Sequence, residues 1–257
     1  FPSDKLIPDV LFIGAESRLL LKDYAEAEQQ YRVFLEKAPT HANAPQARVR
    51  RGLALHLAGK NSEAVTALEA ANKELKDPAL QSEALALIGR TWAAQQQFAK
   101  AAQAFESSLK TKPDREQTDE TLLALADAYR KLDRQPDAAA RLQQLVKQFP
   151  KSTRVEEATF RLGEAAYAQN AFDQSLAYYA EVTRNWPEGT FAPHAQYGLG
   201  WSHFKRGDFQ KAAEAMTTLA TKHAKSEVAP KGLYVRAMAR YQLGEFQSAA
   251  DDATAFL

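Results

Sequence analysis

The chain has 257 residues, 45% of them apolar and 25% charged, which is ordinary for a folded globular protein. Lys and Arg total 33 against 32 Asp and Glu, so the net charge is +1 and the basic excess expected of a nucleic-acid binder is missing. There is no cysteine, which excludes disulfides, thiol chemistry and cysteine-bound metals, and no apolar run approaches the roughly 18 residues of a membrane span.

From the N-terminus onward, the apolar spacing predicts one amphipathic helix after another, in pairs. The clearest pair is the fifth: a first helix over about 156–169, the turn "QNAF", a second helix over about 173–184, and Trp186-Pro187 closing the unit. Proline disfavours helix in the residue before it, so it ends the pair. Gly163 lies inside the first of these helices, where Gly costs about 1 kcal/mol relative to Ala. Its meaning comes from its recurrence. Stepping by 37 residues gives Ala15, Gly52, Gly89, Ala126, Gly163, Gly200 and Ala237, every one small (200 − 163 = 37). A second column reads Ala27, Ala64, Ala101, Ala138, Ser175, Ala212 and Ala249. A third is mostly aromatic: Tyr24, Asn61, Phe98, Gln135, Phe172, Phe209 and Phe246. Pro39, Pro113, Pro150 and Pro187 recur on the same grid, as do Pro8, Pro45, Pro193 and Pro230 at helix starts, where Pro is tolerated. The repeats are 8–44, 45–81, 82–118, 119–155, 156–192, 193–229 and the incomplete 230–257, forming a single array over 1–257. The small columns are expected to let the two helices of a pair approach backbone to backbone, so Gly163 is read as architecture.

Copy three carries Leu85, Ile88-Gly89, Trp92, Ala101, Phe105 and Pro113. This pattern resembles the tetratricopeptide repeat. The resemblance implies an all-α, right-handed superhelical solenoid of about seven helix-turn-helix repeats. The period departs from the family's usual value of about 34, and the extra residues fall between units, as in "PKSTRVEEA" and "PEGTFAPHA". That longer form is similar to repeats of bacterial envelope proteins, of the Tol–Pal-associated and outer-membrane assembly lipoprotein kinds. It implies a periplasmic or outer-membrane-associated location, with the cytoplasm as the alternative. Phe1-Pro2 matches the "FP" of Phe149-Pro150 and reads as the tail of an earlier repeat, so the chain is expected to be a fragment of a longer protein. Leu11, Phe12, Phe246 and Phe256 are then expected to be exposed at the two ends and to drive self-association.

Searches for chemistry find little. No two of His41, His56, His194, His203 and His223 stand at i, i+4, and "GLG" at 198–200 lacks the Lys-Ser/Thr of a phosphate loop. Glu156-Glu157 and Asp251-Asp252 read as helix-start or polar-face pairs. No enzyme active site, cofactor or metal site is expected. What remains is a binding surface for a protein or peptide partner, with no role for nucleic acid.

The resemblance implies that first helices line a concave groove through the second, fifth, ninth, twelfth and thirteenth positions of each repeat. In the last three copies these positions hold aromatic residues: Phe160, Tyr167, Tyr197, Trp201, Phe204, Tyr234 and Tyr241. His194, Lys205 and Lys231 give the face a basic rim, with Glu164 as an acidic exception. Two readings compete: packing of helix on helix, or an open aromatic groove for a partner segment. The ninth-position column, Glu16, Leu53, Arg90, Asp127, Glu164, Trp201 and Met238, contains no Asn, which weighs against a chaperone-type carboxylate clamp. A regulatory arm of a larger enzyme and a cytoplasmic adaptor are the alternative roles.

Overall fold

The computed structural model describes residues 6–257; the Phe1-Pro2 pair falls outside the described residues. Among those described there are fourteen α-helices and no strand. They are α1 (Ile7–Leu20), α2 (Tyr24–Lys37), α3 (Ala44–Leu57), α4 (Asn61–Glu74), α5 (Pro78–Ala94), α6 (Phe98–Thr111), α7 (Thr118–Lys131), α8 (Gln135–Gln148), α9 (Val155–Ala168), α10 (Phe172–Asn185), α11 (Ala192–Arg206), α12 (Phe209–Lys222), α13 (Ala229–Gln242) and α14 (Phe246–Phe256). The mostly aromatic column supplies the first residue of every second helix. The chain divides into two compact units, one up to Ala138 and one over Ala139–Leu257, with the division inside α8.

The hairpin turn has one geometry throughout. Lys22, Gly59, Gln96, Asp133, Asn170, Gly207 and Gly244, again 37 apart, all have φ between 57 and 83°. The next residue's N–H reaches back to the carbonyl five residues earlier, as in Asp23 to Arg18, Gln97 to Trp92 and Asp208 to His203, each at 2.9 Å. This is the helix-ending motif in which a left-handed residue turns the chain and satisfies the last free carbonyls. Across the turn, rings clasp the two helices together: Tyr167–Phe172 at 5.6 Å, Phe204–Phe209 at 5.3 Å and Tyr241–Phe246 at 5.5 Å between centroids.

Within the first unit, Ala15, Ala27, Tyr31, Phe34, Ala47 and Ala54 form one core, and Val49, Leu68, Leu87 and Ile88 belong to the next. α5 starts at Pro78, a turn before the 37-residue grid, because the Asp77 carboxylate accepts from the Ala79 N–H at 2.9 Å and Pro78 takes the first helical position. Ser82 in the first turns of α5 is buried, and its hydroxyl meets that of Ser108 at 2.9 Å. Within the second unit, Tyr179, Val182 and Ala195 form one core, and Met216, Leu219, Val228 and Val235 another.

The small columns work differently from the sequence expectation. A Cβ on Gly89 or Gly163 would lie 2.6 Å from a ring carbon of Phe105 or Tyr179, and one on Gly52 or Gly200 would strike Leu68 or Met216. In each case the partner lies 16 residues later, on the second helix. The first-helix glycine therefore admits a large side chain and not the neighbouring backbone. The second-helix column faces the following repeat instead: Ser175 Oγ meets Ser202 Oγ at 2.8 Å, and Ala212 packs with Ala239.

Three smaller expectations also change. Leu11 and Phe12 pack against the first core, and the exposed apolar residues of α1 are Val10, Ile13 and Leu20, with Leu6 just before it; Phe246 and Phe256 are exposed as expected. Glu156 does not serve its own helix: it accepts from the Phe191 N–H at 2.7 Å, at the start of α11. Asp252 is buried, gripped by Arg236 at 2.6 and 2.9 Å and by Arg240 at 2.7 Å. These bonds cross-link α13 to α14, and a carboxylate held twice is satisfied despite burial.

Candidate functional site

The second unit gathers the aromatic residues of α9, α11 and α13 into two adjoining hollows. The first, of about 320 Å³, is lined by Phe160, Glu164 and Tyr167 of α9, Tyr179 of α10, His194, Tyr197, Gly198 and Trp201 of α11, and Val228 and Lys231. The second, of about 490 Å³, is lined by Phe204 of α11, Tyr234, Ala237, Met238, Tyr241 and Gln242 of α13, and Phe246, Ala249, Ala250 and Ala253 of α14. Ten of the eleven residues singled out from sequence thus line one hollow or the other. Lys205 lines neither; it is exposed, with Nζ 6.0 Å from the centre of the Trp201 ring.

The 37-residue period puts equivalent residues on one side of successive first helices, and the rings then touch. Phe160 stacks on Phe191 at 5.1 Å, and Tyr197 meets Trp201 edge-on at 6.4 Å. Trp201 in turn contacts Phe204 at 5.9 Å and Tyr234 at 6.5 Å, which joins the hollows. Phe160, Tyr197, Trp201 and Phe204 are half-buried, each with one side against a core cluster. Tyr234 and Tyr241 are 47% and 62% exposed. Packing and openness therefore coexist in these rings, and the two readings of the sequence are not exclusive.

Sequence reasoning missed Tyr179 and Gly198. The Tyr179 ring lies between two glycines: a Cβ on Gly163 would be 2.6 Å from one edge and one on Gly198 2.5 Å from the other. Burial pushes the Tyr179 phenol well above its usual pKa, with the Glu164 charge and then Tyr167 adding to the effect. Tyr167 is raised too, by burial and then by Tyr197. Both phenols remain protonated and can donate hydrogen bonds. His194 Nε2 lies 3.3 Å from Glu227 Oε1, while Nδ1 is buried with no hydrogen-bond partner. A buried imidazole nitrogen without a partner is costly, and a ligand group in the hollow could satisfy it. The face offers aromatic area, phenol donors and the Lys231 ammonium, beside the unpartnered His194 Nδ1. That chemistry suits noncovalent recognition.

Among the described residues no group of three or more His, Asp or Glu side chains could hold a metal ion, and no helix is long and apolar enough to cross a membrane.

The family model for the tetratricopeptide repeat matches residues 58–116, 123–190 and 193–257, and a second tetratricopeptide model matches 9–41. The chain belongs to the tetratricopeptide repeat family. Among solved structures, it is similar to the C-terminal part of a tetratricopeptide repeat-containing protein from Cytophaga hutchinsonii, at 15% identity over 95% of this chain and 91% of that one, with a TM-score of 0.73. A tetratricopeptide repeat protein from Parabacteroides merdae matches at 16% identity over 96% and 91%, TM-score 0.62. YrrB, described as a tetratricopeptide protein with an unusual peptide-binding site, matches at 19% over 77% and 95%, TM-score 0.62. At these identities the likeness is one of fold. No curated protein matches the chain.

Proposed function

We propose that the protein is a non-catalytic interaction scaffold that holds a segment of a protein partner on the aromatic face of α9, α11 and α13. The observation that carries this reading is the hollow that brings Phe160, Tyr167, Tyr197 and Trp201 together with the unpartnered His194 Nδ1 and the Lys231 ammonium. The occupant is an apolar, mildly acidic segment, laid in as an extended peptide or an amphipathic helix. YrrB, of like fold, is described as having a peptide-binding site, which agrees with this use of the repeats. The setting we propose is a bacterial envelope assembly, on the strength of the long inter-repeat segments; an arm of a larger enzyme or a cytoplasmic adaptor is the competing setting. The exposed apolar faces of α1 and α14 favour self-association as a second mode of contact.

The test is partner capture with the Tyr197→Ala/Trp201→Ala double variant. Aromatic anchors commonly cost about 2 kcal/mol or more on truncation, so affinity should fall by at least about tenfold while the circular dichroism spectrum stays helical. Loss of the helical spectrum would assign both rings to the core alone. Undiminished binding by a folded variant would move the partner to another surface.

A further inference from the structure

The side of α5 turned away from the groove positions Glu83, Ala86 and Arg90 carries Leu85, Ile88 and Trp92. These three floor a hollow of about 510 Å³ between α4 and α6, within the first unit. The same row is closed in other copies. In copy four its members Leu122, Leu125 and Tyr129 are buried. In copy two Arg48 and Arg51 stand there and bridge to Glu74 at 3.3 Å and to Glu28 at 2.7 Å. In copy seven Arg236 and Arg240 stand there and grip Asp252. In copy three the row is apolar and unclosed. Leu85 and Trp92 are only half-buried, because Ala104 and Ser107 of α6 are too short to cover them.

Two further observations give this hollow a chemistry. Asn72 of α4 lies in its wall, in a column that holds Leu35, Leu109 and Val146 in other copies. Its carboxamide oxygen is buried and accepts no hydrogen bond. A buried acceptor without a donor is costly, and the apolar residue of the other copies would avoid that cost. The second observation is charge. Lys73 on α4 and Lys100 on α6 are exposed on either side of the hollow, and neither is paired with a carboxylate among the described residues. Lys100 Nζ lies 4.2 Å from the centre of the Trp92 ring, which holds its charge against the apolar floor. Glu69 is the one acidic residue of the wall, so positive charge is in excess.

We propose that this outer hollow docks a segment of a protein partner in which a tryptophan is flanked by acidic residues. The indole brings apolar area to Leu85, Ile88 and Trp92 and an N–H to Asn72 Oδ1. Indole nitrogen is a donor only, which suits an acceptor that lacks a donor. The flanking carboxylates meet Lys73 and Lys100, and a basic segment is repelled by the same two ammonium groups. A phenylalanine would fill the space and leave Asn72 Oδ1 unsatisfied. The site lies wholly in the first unit, on the side of α5 opposite the groove positions, and stands independently of the aromatic face.

The Trp92 indole N–H and the Asn72 side-chain amide report on the hollow by NMR. The protein is titrated with the capped peptides Ac-EEWEE-NH2, Ac-EEFEE-NH2 and Ac-KKWKK-NH2. Saturable shifts of both signals are expected, with Ac-EEWEE-NH2 binding most tightly and Ac-KKWKK-NH2 at least about tenfold more weakly. Asn72→Leu installs the residue that two other copies carry in this column. It should leave Tm unchanged or raise it, and should abolish the preference for the Trp over the Phe peptide, read at Trp92. Lys73→Gln with Lys100→Gln should abolish the preference for the acidic over the basic peptide. Trp201→Ala should change neither preference. The assignment would be overturned by absence of saturable shifts at millimolar peptide, by preferences that persist in these variants, or by binding that is lost in Trp201→Ala and unaltered in Asn72→Leu.

Discussion

Gly163 and Gly198 show how a single residue type shapes the site. Alanine would ordinarily stabilise a helix interior by about 1 kcal/mol over glycine. At Gly198 the added methyl would meet ring atoms of Tyr179 at 2.5 and 2.6 Å, and a buried ring cannot swing away as a flexible chain end can. Overpacking costs about 1–3 kcal/mol, so the clash wins. Gly198→Ala should therefore destabilise the protein by about 1 kcal/mol or more in urea unfolding. In a Tyr179→Ala background the same change should cost little or even stabilise. An equal cost in both backgrounds would show that the ring is not what the glycine accommodates. The recurrence of Gly163 was legible in the sequence; its partner was not, because Tyr179 sits on the second helix and the register of two helices is fixed only by packing. The pairing at a constant separation of 16 residues, Gly52 with Leu68 and Gly89 with Phe105, is the signal that could have revealed it.

The element that repeats most faithfully is the hairpin turn. Its left-handed position holds Lys, Gly, Gln, Asp, Asn, Gly and Gly in successive copies, so residue identity conceals what the backbone shares. Gly and Asn adopt this conformation readily, Lys and Gln at a cost of about 1–2 kcal/mol, partly offset by the greater freedom that Gly loses on folding. Gln96→Gly should accordingly raise stability by about 0.5–1 kcal/mol, and Gly207→Ala should lower it by a similar amount. Thermal melts of the two variants, moving in opposite directions, check this. Helix positions were legible because the 37-residue grid and the prolines mark them. The early start of α5 was concealed because the Asp77 cap lies off that grid. The role of Asp252 was concealed too, because nothing in "DDATAFL" announces two arginines from the preceding helix.

At the scale of the whole molecule, the aromatic columns made the candidate face readable, whereas its two hollows were not, because Tyr179 and Ala249 come to them from second helices. Apolar surface is concentrated at α1 and at α14. Leu6, Val10 and Ile13 are 63–66% exposed, and Phe246 is 63% exposed. Surfaces of this kind drive association. Light scattering should show a mass that rises with protein concentration, and Val10→Asp with Ile13→Asp should reduce that rise without loss of helicity. A concentration-independent monomer would show that neither face is sticky.

The substantial helix contacts within each unit join helices that are adjacent or next but one along the chain, as in α1 with α2, α3 with α5 and α11 with α13. Nothing in such a pattern requires distant parts of the chain to meet. Under mechanical tension, an array built in this way yields its length hairpin by hairpin, in steps. Drawing out α1 and α2 would leave the contacts of α9 with α10 and α11 untouched, so a grip on the rings of α9 and α11 survives that extension.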